Sequence, residues 1–159
     1  MNKLKPLPEE WSGLLNNEQK EAIENINGPL LIIAGAGSGK TRVLTYRYAH
    51  LIKTYGINFE NVLAITFTNK AANEMKDRIS DLLNLELSPK WISTFHSLCV
   101  KMLRIHGHLI GFNNNFTIYD QSDSTKLVRN CMRDSDIDTK QYSPKRIQAH
   151  ISSLKNQRI

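Results

Sequence analysis

The chain has 159 residues, a length that suits one domain, or one domain together with the start of another. Hydrophobic residues make up 40% and charged residues 23%, a globular balance that excludes a mostly disordered chain. The longest apolar run, residues 30–34, is far shorter than the roughly 20 residues of a membrane span. Residues 1–11 lack the apolar segment of a secretory signal, and the two cysteines form no C-x-x-C pair. We therefore expect a cytoplasmic protein with reduced cysteines and no membrane contact.

The formal net charge is +6, and the basic excess lies in the second part of the chain. Residues 1–89 hold ten basic and ten acidic side chains, whereas residues 90–159 hold eleven basic and five acidic ones. A one-sided basic surplus favours a polyanionic partner such as a nucleic acid. A solvated basic face explains the same charge, and charge alone does not decide between the two.

The first predicted element is a helix. Asn16 is a good N-cap residue, and Gln19, three residues later, completes a capping pattern. Residues 30–34 then form an unbroken apolar run, which predicts a strand buried on both faces, as in a parallel sheet. Glycines follow, and a helical pattern begins at Thr41 and closes at Gly56.

The order of strand and helix then recurs. Residues 62–66 and 91–95 are predicted strands; the first precedes a helix that Asn69 can cap, and the second precedes an amphipathic helix over residues 96–110. A fourth strand-like stretch spans residues 116–119. This alternation predicts an α/β fold with a parallel sheet flanked by helices.

The character of the sequence changes after Asp120. Residues 121–159 are polar and helical, and their apolar positions are too few for a core of their own. We therefore assign residues 1–120 to an α/β domain and residues 121–159 to the beginning of a helical subdomain that is incomplete in this sequence.

The strongest motif is A-G-A-G-S-G-K-T at residues 34–41, between a predicted buried strand and a predicted helix. Backbone N–H groups in such a loop cradle phosphate oxygens, and glycines are needed because side chains would clash with the phosphates. Lys40 would place a cation on the β and γ phosphates, and Thr41 would give Mg²⁺ a hydroxyl ligand. Ala34 replaces the first glycine of the strict pattern, so a chance glycine-rich turn is the alternative. The residues assigned to the phosphate loop are Gly35, Ala36, Gly37, Ser38, Gly39, Lys40 and Thr41.

A phosphate loop alone does not define a reaction, because hydrolysis also needs an acid for the metal ion and a carboxylate that orients water. No apolar strand in the sequence ends in Asp-Glu. Asp120 is the one candidate for a magnesium-binding acid, but Gln121 follows it where a second carboxylate would be required. Asp120 fits better as the cap of the next helix.

Two predicted strands end alike, in T-F-T-N at residues 66–69 and in T-F-H-S at residues 94–97. In a parallel sheet both ends lie at the carboxyl edge, where the phosphate loop also lies. Hydroxyl, amide and imidazole groups there can hold nucleic-acid phosphates, and an exposed Phe ring can stack on an unpaired base. Two core phenylalanines beside hydroxyl caps are the alternative interpretation.

Together these segments resemble the N-terminal part of superfamily I DNA helicases of the UvrD, Rep and PcrA type. Residues 15–19 resemble the family's adenine-recognising Q motif, and residues 34–41, including their initial alanine, resemble helicase motif I. Residues 64–72 are similar to motif Ia, and residues 91–97 are similar to motif Ib. The segments also occur in the family's order, so the resemblance covers nearly the whole chain.

The resemblance implies roles for individual residues. Gln19 would read the edge of adenine, and Arg42 would lie beside the adenine or the ribose. Lys40 and Thr41 would be the catalytic residues, acting on the phosphates and on Mg²⁺. The residues that would contact single-stranded DNA are Phe67, Thr68, Asn69, Thr94, His96 and Ser97.

The resemblance also implies a longer parent protein, an ATP-dependent helicase that moves 3'–5' along single-stranded DNA and unwinds duplex DNA. Residues 1–120 would be the first part of its RecA-like P-loop NTPase domain 1A, and residues 121–159 would begin its helical subdomain 1B. The Asp-Glu motif, the arginines that sense the γ-phosphate and the second motor domain would lie beyond Ile159. We therefore expect the chain alone to be inactive. Its expected partners are ATP, Mg²⁺, single-stranded and partly duplex DNA, and the remainder of the helicase.

Two other functions stay open at this point. A small complete P-loop kinase or NTPase would use Asp120 as its magnesium-binding acid. A non-enzymatic nucleic-acid-binding module would bind DNA whether or not a nucleotide is present. No motif marks the pathway served, whether repair, replication restart or plasmid replication.

Overall fold

The computed structural model describes residues 4–84 and 89–158, and the other residues of the two predicted domains lie outside the described part. The chain forms two compact units, Met1–Ile110 and Gly111–Ile159. The first unit contains the phosphate loop and the two described strands, and the second contains two helices. The domain boundary expected after Asp120 stays a prediction.

The first unit alternates helices with two short parallel strands. Short 3₁₀ turns precede its first strand, at Phe59–Asn61, and follow its last helix, at Gly107–Ile110. The elements in chain order are α1 (Glu9–Ser12), α2 (Asn17–Glu24), α3 (Lys40–Lys53), β1 (Ala64–Thr66), α4 (Asn69–Leu83), β2 (Ile92–Thr94) and α5 (Phe95–His106).

Side-chain caps explain where three of these helices begin. The capping pattern predicted for α2 is confirmed: Asn16 accepts from the backbone N–H of Gln19 at 2.8 Å, and the Gln19 side chain accepts from the backbone N–H of Asn16 at 3.1 Å. Thr68 caps α4, one residue before the predicted Asn69, because its hydroxyl accepts from the third N–H of the helix. Thr94 caps α5 in the same way.

The two strands form a parallel pair that confirms the predicted α/β class. Ala64, Ile65 and Thr66 of β1 stand opposite Ile92, Ser93 and Thr94 of β2. Helix α4 connects the two strands, which is the crossover that a parallel pair requires. The pairing places the carboxyl ends of β1 and β2 side by side.

Two of the predicted strands are not strands in the structure. Residues 30–34 are extended but form no ladder within residues 4–84 and 89–158, and Leu31 and Ile33 are 82% and 89% exposed. Only Ile32 packs against the core from the middle of this run. Residues 116–119 also form no strand. An apolar run becomes a buried strand only when neighbouring strands pair with it, and the described residues supply none for these two segments.

The core of the first unit lies on both sides of α3. On one side, α1 and α2 pack through a cluster that includes Trp11 and Ile23. On the other side, Tyr48 of α3 packs with residues of α4 and β2. Trp11 also stacks edge-on against Tyr46 of α3, with ring centroids 5.4 Å apart. Helix α3, whose first residue is Lys40, is therefore held firmly from two sides.

The second unit is a pair of helices, α6 (Gln121–Asp134) and α7 (Pro144–Asn156). Asp120 caps α6 through a reciprocal capping box with Asp123. Thr125 of α6 donates to the side chain of Gln148 on α7 at 2.7 Å. None of the helices described in either unit is long and apolar enough to cross a membrane.

Candidate functional site

The phosphate loop runs from the extended segment 30–34 into α3 and is open to solvent. Lys40 is exposed, and its Nζ donates to the carbonyl oxygens of Ala34 at 2.8 Å and of Gly35 at 2.5 Å. The hydroxyl of Ser38 donates to Gly35 O at 2.8 Å, which tightens the turn. The lysine side chain thus lies back across its own loop, where its cation is held by two carbonyl oxygens.

Two glycines of the loop adopt a backbone conformation that favours glycine. Gly39, the N-cap of α3, has φ +88°, and Gly37 has φ +77°. A Cβ at Gly39 would lie 2.8 Å from Nε2 of Gln19, whereas a Cβ at Gly37 would meet nothing within 4 Å. The conformation at Gly39 therefore favours glycine, and a Cβ there would also displace the end of the Gln19 side chain.

Gln19 joins the first turn of α2 to the phosphate loop. Its Nε2 donates to the carbonyl oxygen of Ser38 at 3.1 Å, while its Oε1 completes the capping box at Asn16. A pocket of about 420 Å³ opens beside this contact. The residues that line it are Gln19, Gly37, Ser38, Gly39, Lys40, Thr41, Arg42 and Arg78. Seven residues from the sequence-predicted set, together with Arg78, thus share one pocket.

Arg42 and Arg78 add two guanidinium groups to the lining of this pocket. Arg42, from α3, donates to the carbonyl of Leu14 at 3.4 Å. Arg78, from α4, forms an ion pair with Glu74 one turn earlier on the same helix. Both arginines also line a second pocket of about 300 Å³ with Tyr46. A polyanion in the first pocket would therefore meet two guanidinium groups besides Lys40.

Sequence reasoning missed Arg78. A Glu and an Arg four residues apart are an ordinary surface pair on a helix, so no local pattern marks the residue. Its place at the pocket arises from the packing of α4 against α3, which joins segments far apart in the chain. Ala36 and Gly35, in contrast, belong to the predicted loop but do not line the pocket.

The metal-binding prediction rests on Thr41. Its side chain is exposed and lines the pocket next to Lys40, and a hydroxyl oxygen is a ligand that Mg²⁺ accepts beside phosphates and water. No group of three or more His, Cys, Asp or Glu side chains suited to a metal ion occurs within the described ranges. Asp120 belongs to the second unit, where its carboxylate accepts from the backbone N–H of Asp123 at 2.8 Å. That bond, together with those from Ser122, lowers the pKa of Asp120.

At the end of β1 the structure exposes a full aromatic face. The Phe67 side chain is 101% exposed. Thr68 and Asn69 are exposed beside it, and the hydroxyl of Thr68 accepts from the backbone N–H of Ala71 at 3.1 Å. Asn69 is the first residue of α4. The carboxyl end of β1 can therefore offer a stacking surface and polar donors together.

At the end of β2 the side chains are less exposed, and two of them are hydrogen-bonded to each other. Thr94 is only 7% exposed, and its hydroxyl donates to Oγ of Ser97 at 2.9 Å. Phe95 is 61% exposed and His96 is exposed. Because Thr66 and Thr94 are paired across the ladder, the two strand ends lie about one strand spacing, ~4.8 Å, apart. The six residues predicted for DNA contact thus lie at one edge, where Thr68 and Thr94 cap the helices that follow.

Comparison with known proteins agrees with this combination of features. A family model described as the UvrD/REP helicase N-terminal domain matches residues 15–159. The ATP-dependent DNA helicase PcrA of Staphylococcus aureus (strain Mu50 / ATCC 700699) is 48% identical over 143 residues, which cover 90% of this chain and 20% of that protein. PcrA of Staphylococcus epidermidis (strain ATCC 12228 / FDA PCI 1200) matches with the same identity and coverage. The chain therefore spans about a fifth of the length of the curated relatives it matches.

Proposed function

This chain belongs to the UvrD/REP helicase family, and from that membership we propose that it supplies the ATP-binding and single-stranded-DNA-binding part of an ATP-dependent DNA helicase. The observation that carries the proposal is a single pocket at which Gln19, Lys40, Thr41 and Arg42 meet. One ligand that has both a base and a chain of phosphates matches this set of side chains. ATP is such a ligand, and the relatives carry ATP in their name.

Three side chains of the pocket would hold different parts of ATP. The amide of Gln19 can donate and accept at once, as the edge of adenine requires, and one N–H and one lone pair remain beyond its two present bonds. Arg42, which lines the same pocket, would lie beside the base or the ribose. Lys40 exchanges the carbonyls of Ala34 and Gly35 for β- and γ-phosphate oxygens.

Magnesium would be held by the hydroxyl of Thr41 together with phosphate oxygens and water. When bound, the ion neutralises charge that develops between the β and γ phosphates during transfer. The described residues contain no Asp-Glu pair at the end of a strand to complete the metal site and orient water. This supports a division of labour in which this chain binds the nucleotide and other parts of the helicase complete catalysis.

Single-stranded DNA would cross the carboxyl edge of β1 and β2. The exposed ring of Phe67 offers a stacking face for a base, and the polar groups of Thr68, Asn69, His96 and Ser97 can hold phosphates. Thr94 would act through its cap on α5, which sets the position of Ser97. The site tolerates any sequence because every base has a face that can stack.

The longer protein would translocate 3'–5' on single-stranded DNA and unwind duplex DNA in the cytoplasm, where ATP and DNA meet. Its remaining domains would be partners of this chain. They would supply the residues that couple hydrolysis to movement. The exposed apolar side chains of Leu31 and Ile33 support further pairing of the 30–34 segment in that protein.

An ATP hydrolysis assay on the 159-residue chain tests this proposal against a small complete NTPase. We expect no turnover above background, with or without single-stranded DNA, because phosphoryl transfer depends on positioning and charge neutralisation that these residues supply only in part. The matched control is Lys40→Ala. DNA-stimulated turnover that disappears in this variant would favour the small NTPase and would bring Asp120 forward as its acid.

A further inference from the structure

Arg47 lies two turns into α3, and its guanidinium is bonded to the carboxyl end of α2. Its Nη1 donates to the carbonyl oxygen of Ala22 at 2.6 Å and also to the carbonyl oxygen of Asn25, the C-cap of α2. The last carbonyls of a helix have no partner within the helix. A cation at this end satisfies them and is favoured by the helix dipole. Arg47 thus fastens the end of α2 to α3.

The environment of Arg47 agrees with a structural anchor. The side chain is half-buried between the two helices, and this burial lowers its pKa. Within the described ranges, its hydrogen bonds go to two backbone carbonyls, and none of the ion pairs found there includes it. Because the guanidinium is planar and its donors are fixed in direction, its bonds to two carbonyl oxygens depend on the position of the α2 end.

The position of α2 matters because Gln19 is in its first turn. Gln19 contacts Ser38 just before α3, and Ala22 and Asn25 contact Arg47 two turns further on, so α2 lies alongside α3 and runs in the same direction. With eight residues, α2 is too short to be stable alone and depends on its contacts with α3. The capping box at Asn16 is internal to the α2 segment and does not attach it to α3.

We propose that Arg47 is a positioning residue for recognition of the adenine base. By holding the end of α2 against α3, it fixes the amide of Gln19 relative to the phosphate loop, which is attached to the same α3. Arg47 does not line the nucleotide pocket, so it acts through Gln19. The inference rests on the proposed function, since it concerns how the same pocket distinguishes adenine from other bases.

The test compares the affinities of the 159-residue chain for ATP and GTP, each measured by displacement of a fluorescent ADP analogue. The variant is Arg47→Met, which keeps the aliphatic stem and removes the donors. The matched control is Lys53→Met, which removes the same charge from the same helix but breaks a 2.6 Å ion pair to Glu10 on α1. We expect Arg47→Met to lower the ATP-to-GTP preference roughly fivefold to tenfold, and Lys53→Met to keep the wild-type preference.

The ratio distinguishes positioning from a loss of stability, because partial unfolding weakens both nucleotides equally. If Arg47→Met fails to fold, Arg47→Gln is expected to lower the same ratio. A folded variant, Met or Gln, that keeps the wild-type preference would overturn the inference while leaving the proposed function intact. A wild-type chain that binds neither nucleotide would instead overturn the proposed function and the inference with it.

Discussion

Single residues of the phosphate loop are held by hydrogen bonds and not by burial. Lys40, Thr41 and Arg42 are exposed, and Lys40 is bonded to carbonyls of its own loop. The motif predicted the residue types that a phosphate requires. It did not predict that Gln19 donates to Ser38, because this bond joins residues 19 apart in sequence and depends on the packing of α2 against α3.

Gly39→Ala is expected to weaken binding of Mg·ATP more than Gly37→Ala does. Both glycines have positive φ, so an added Cβ costs each about 1–2 kcal/mol of stability. Only at Gly39 would the Cβ also meet Nε2 of Gln19, at 2.8 Å, and push the amide away from the pocket. Dissociation constants for Mg·ATP and urea unfolding of both variants check this. Equal losses of affinity would contradict the role given to Gln19.

Phe67→Ala is expected to weaken binding of a single-stranded oligonucleotide more than Phe95→Ala does. Phe67 is 101% exposed and Phe95 is 61% exposed, so Phe67 presents more of its ring to a base. Loss of base stacking costs roughly 1–3 kcal/mol. Fluorescence anisotropy of a labelled oligonucleotide measures both variants, with circular dichroism as the control for folding. If Phe95→Ala remains folded and weakens oligonucleotide binding more than Phe67→Ala does, the prediction is wrong and Phe95 is the more important ring.

At the scale of elements, helices were more predictable from the sequence than strands. The capping box of α2 and the start of α5 follow from local patterns, since caps and amphipathic spacing act within a few residues. Helix α5 ends at His106, however, and a 3₁₀ turn forms the last part of the predicted helix 96–110. Residues 30–34 carry a pattern just as strong, but a strand forms only when a partner pairs with it. The strand predicted for residues 30–34 is therefore absent because no neighbouring strand among the described residues pairs with it, although its composition suits a strand.

The carboxyl half of α3 contains a buried histidine that makes stability depend on pH. His50 is 0% exposed, and neither ring nitrogen has a hydrogen-bond partner within residues 4–84 and 89–158. Burial lowers the pKa of His50 below 6.5. The charge of Glu24 opposes this shift, and the charge of Arg47 adds to it. The ring also stacks edge-on against Tyr55, with centroids 5.3 Å apart.

The free energy of unfolding is therefore expected to fall as the pH drops below 6.5. In that range His50 becomes protonated in the unfolded chain but stays neutral in the folded chain. The full contribution of His50 to stability is therefore present above its unfolded pKa. It declines as the pH falls toward the lowered folded pKa, by at most about 1.4 kcal/mol per pH unit. Urea unfolding between pH 7.5 and 5 measures this slope. His50→Phe keeps the ring packing and is expected to flatten the slope. The same slope in wild type and variant would show that His50 is not the group responsible.

At the scale of the whole molecule, the described strands form only a two-stranded pair. Leu31 and Ile33 remain exposed in a segment whose sequence is suited to the interior of a sheet. This agrees with a chain that spans about a fifth of the length of its relatives. The sequence predicted the α/β class and the residues that gather at the pocket. It could not predict Arg78 there, because the approach of α4 to the phosphate loop is a tertiary contact.

Backbone hydrogen–deuterium exchange with and without Mg·ATP tests most directly whether this pocket is the nucleotide site. Exchange can be followed at millimolar ATP, so even weak binding by the 159-residue chain is detected. We predict slower exchange in residues 35–41 and at the start of α2 when Mg·ATP is added, and little change in α7, which lies in the other unit. Lys40→Ala is expected to lose this protection while keeping the exchange pattern of its nucleotide-free state. Protection that is absent from residues 35–41 in the wild type, or that persists unchanged in Lys40→Ala, would contradict the assignment.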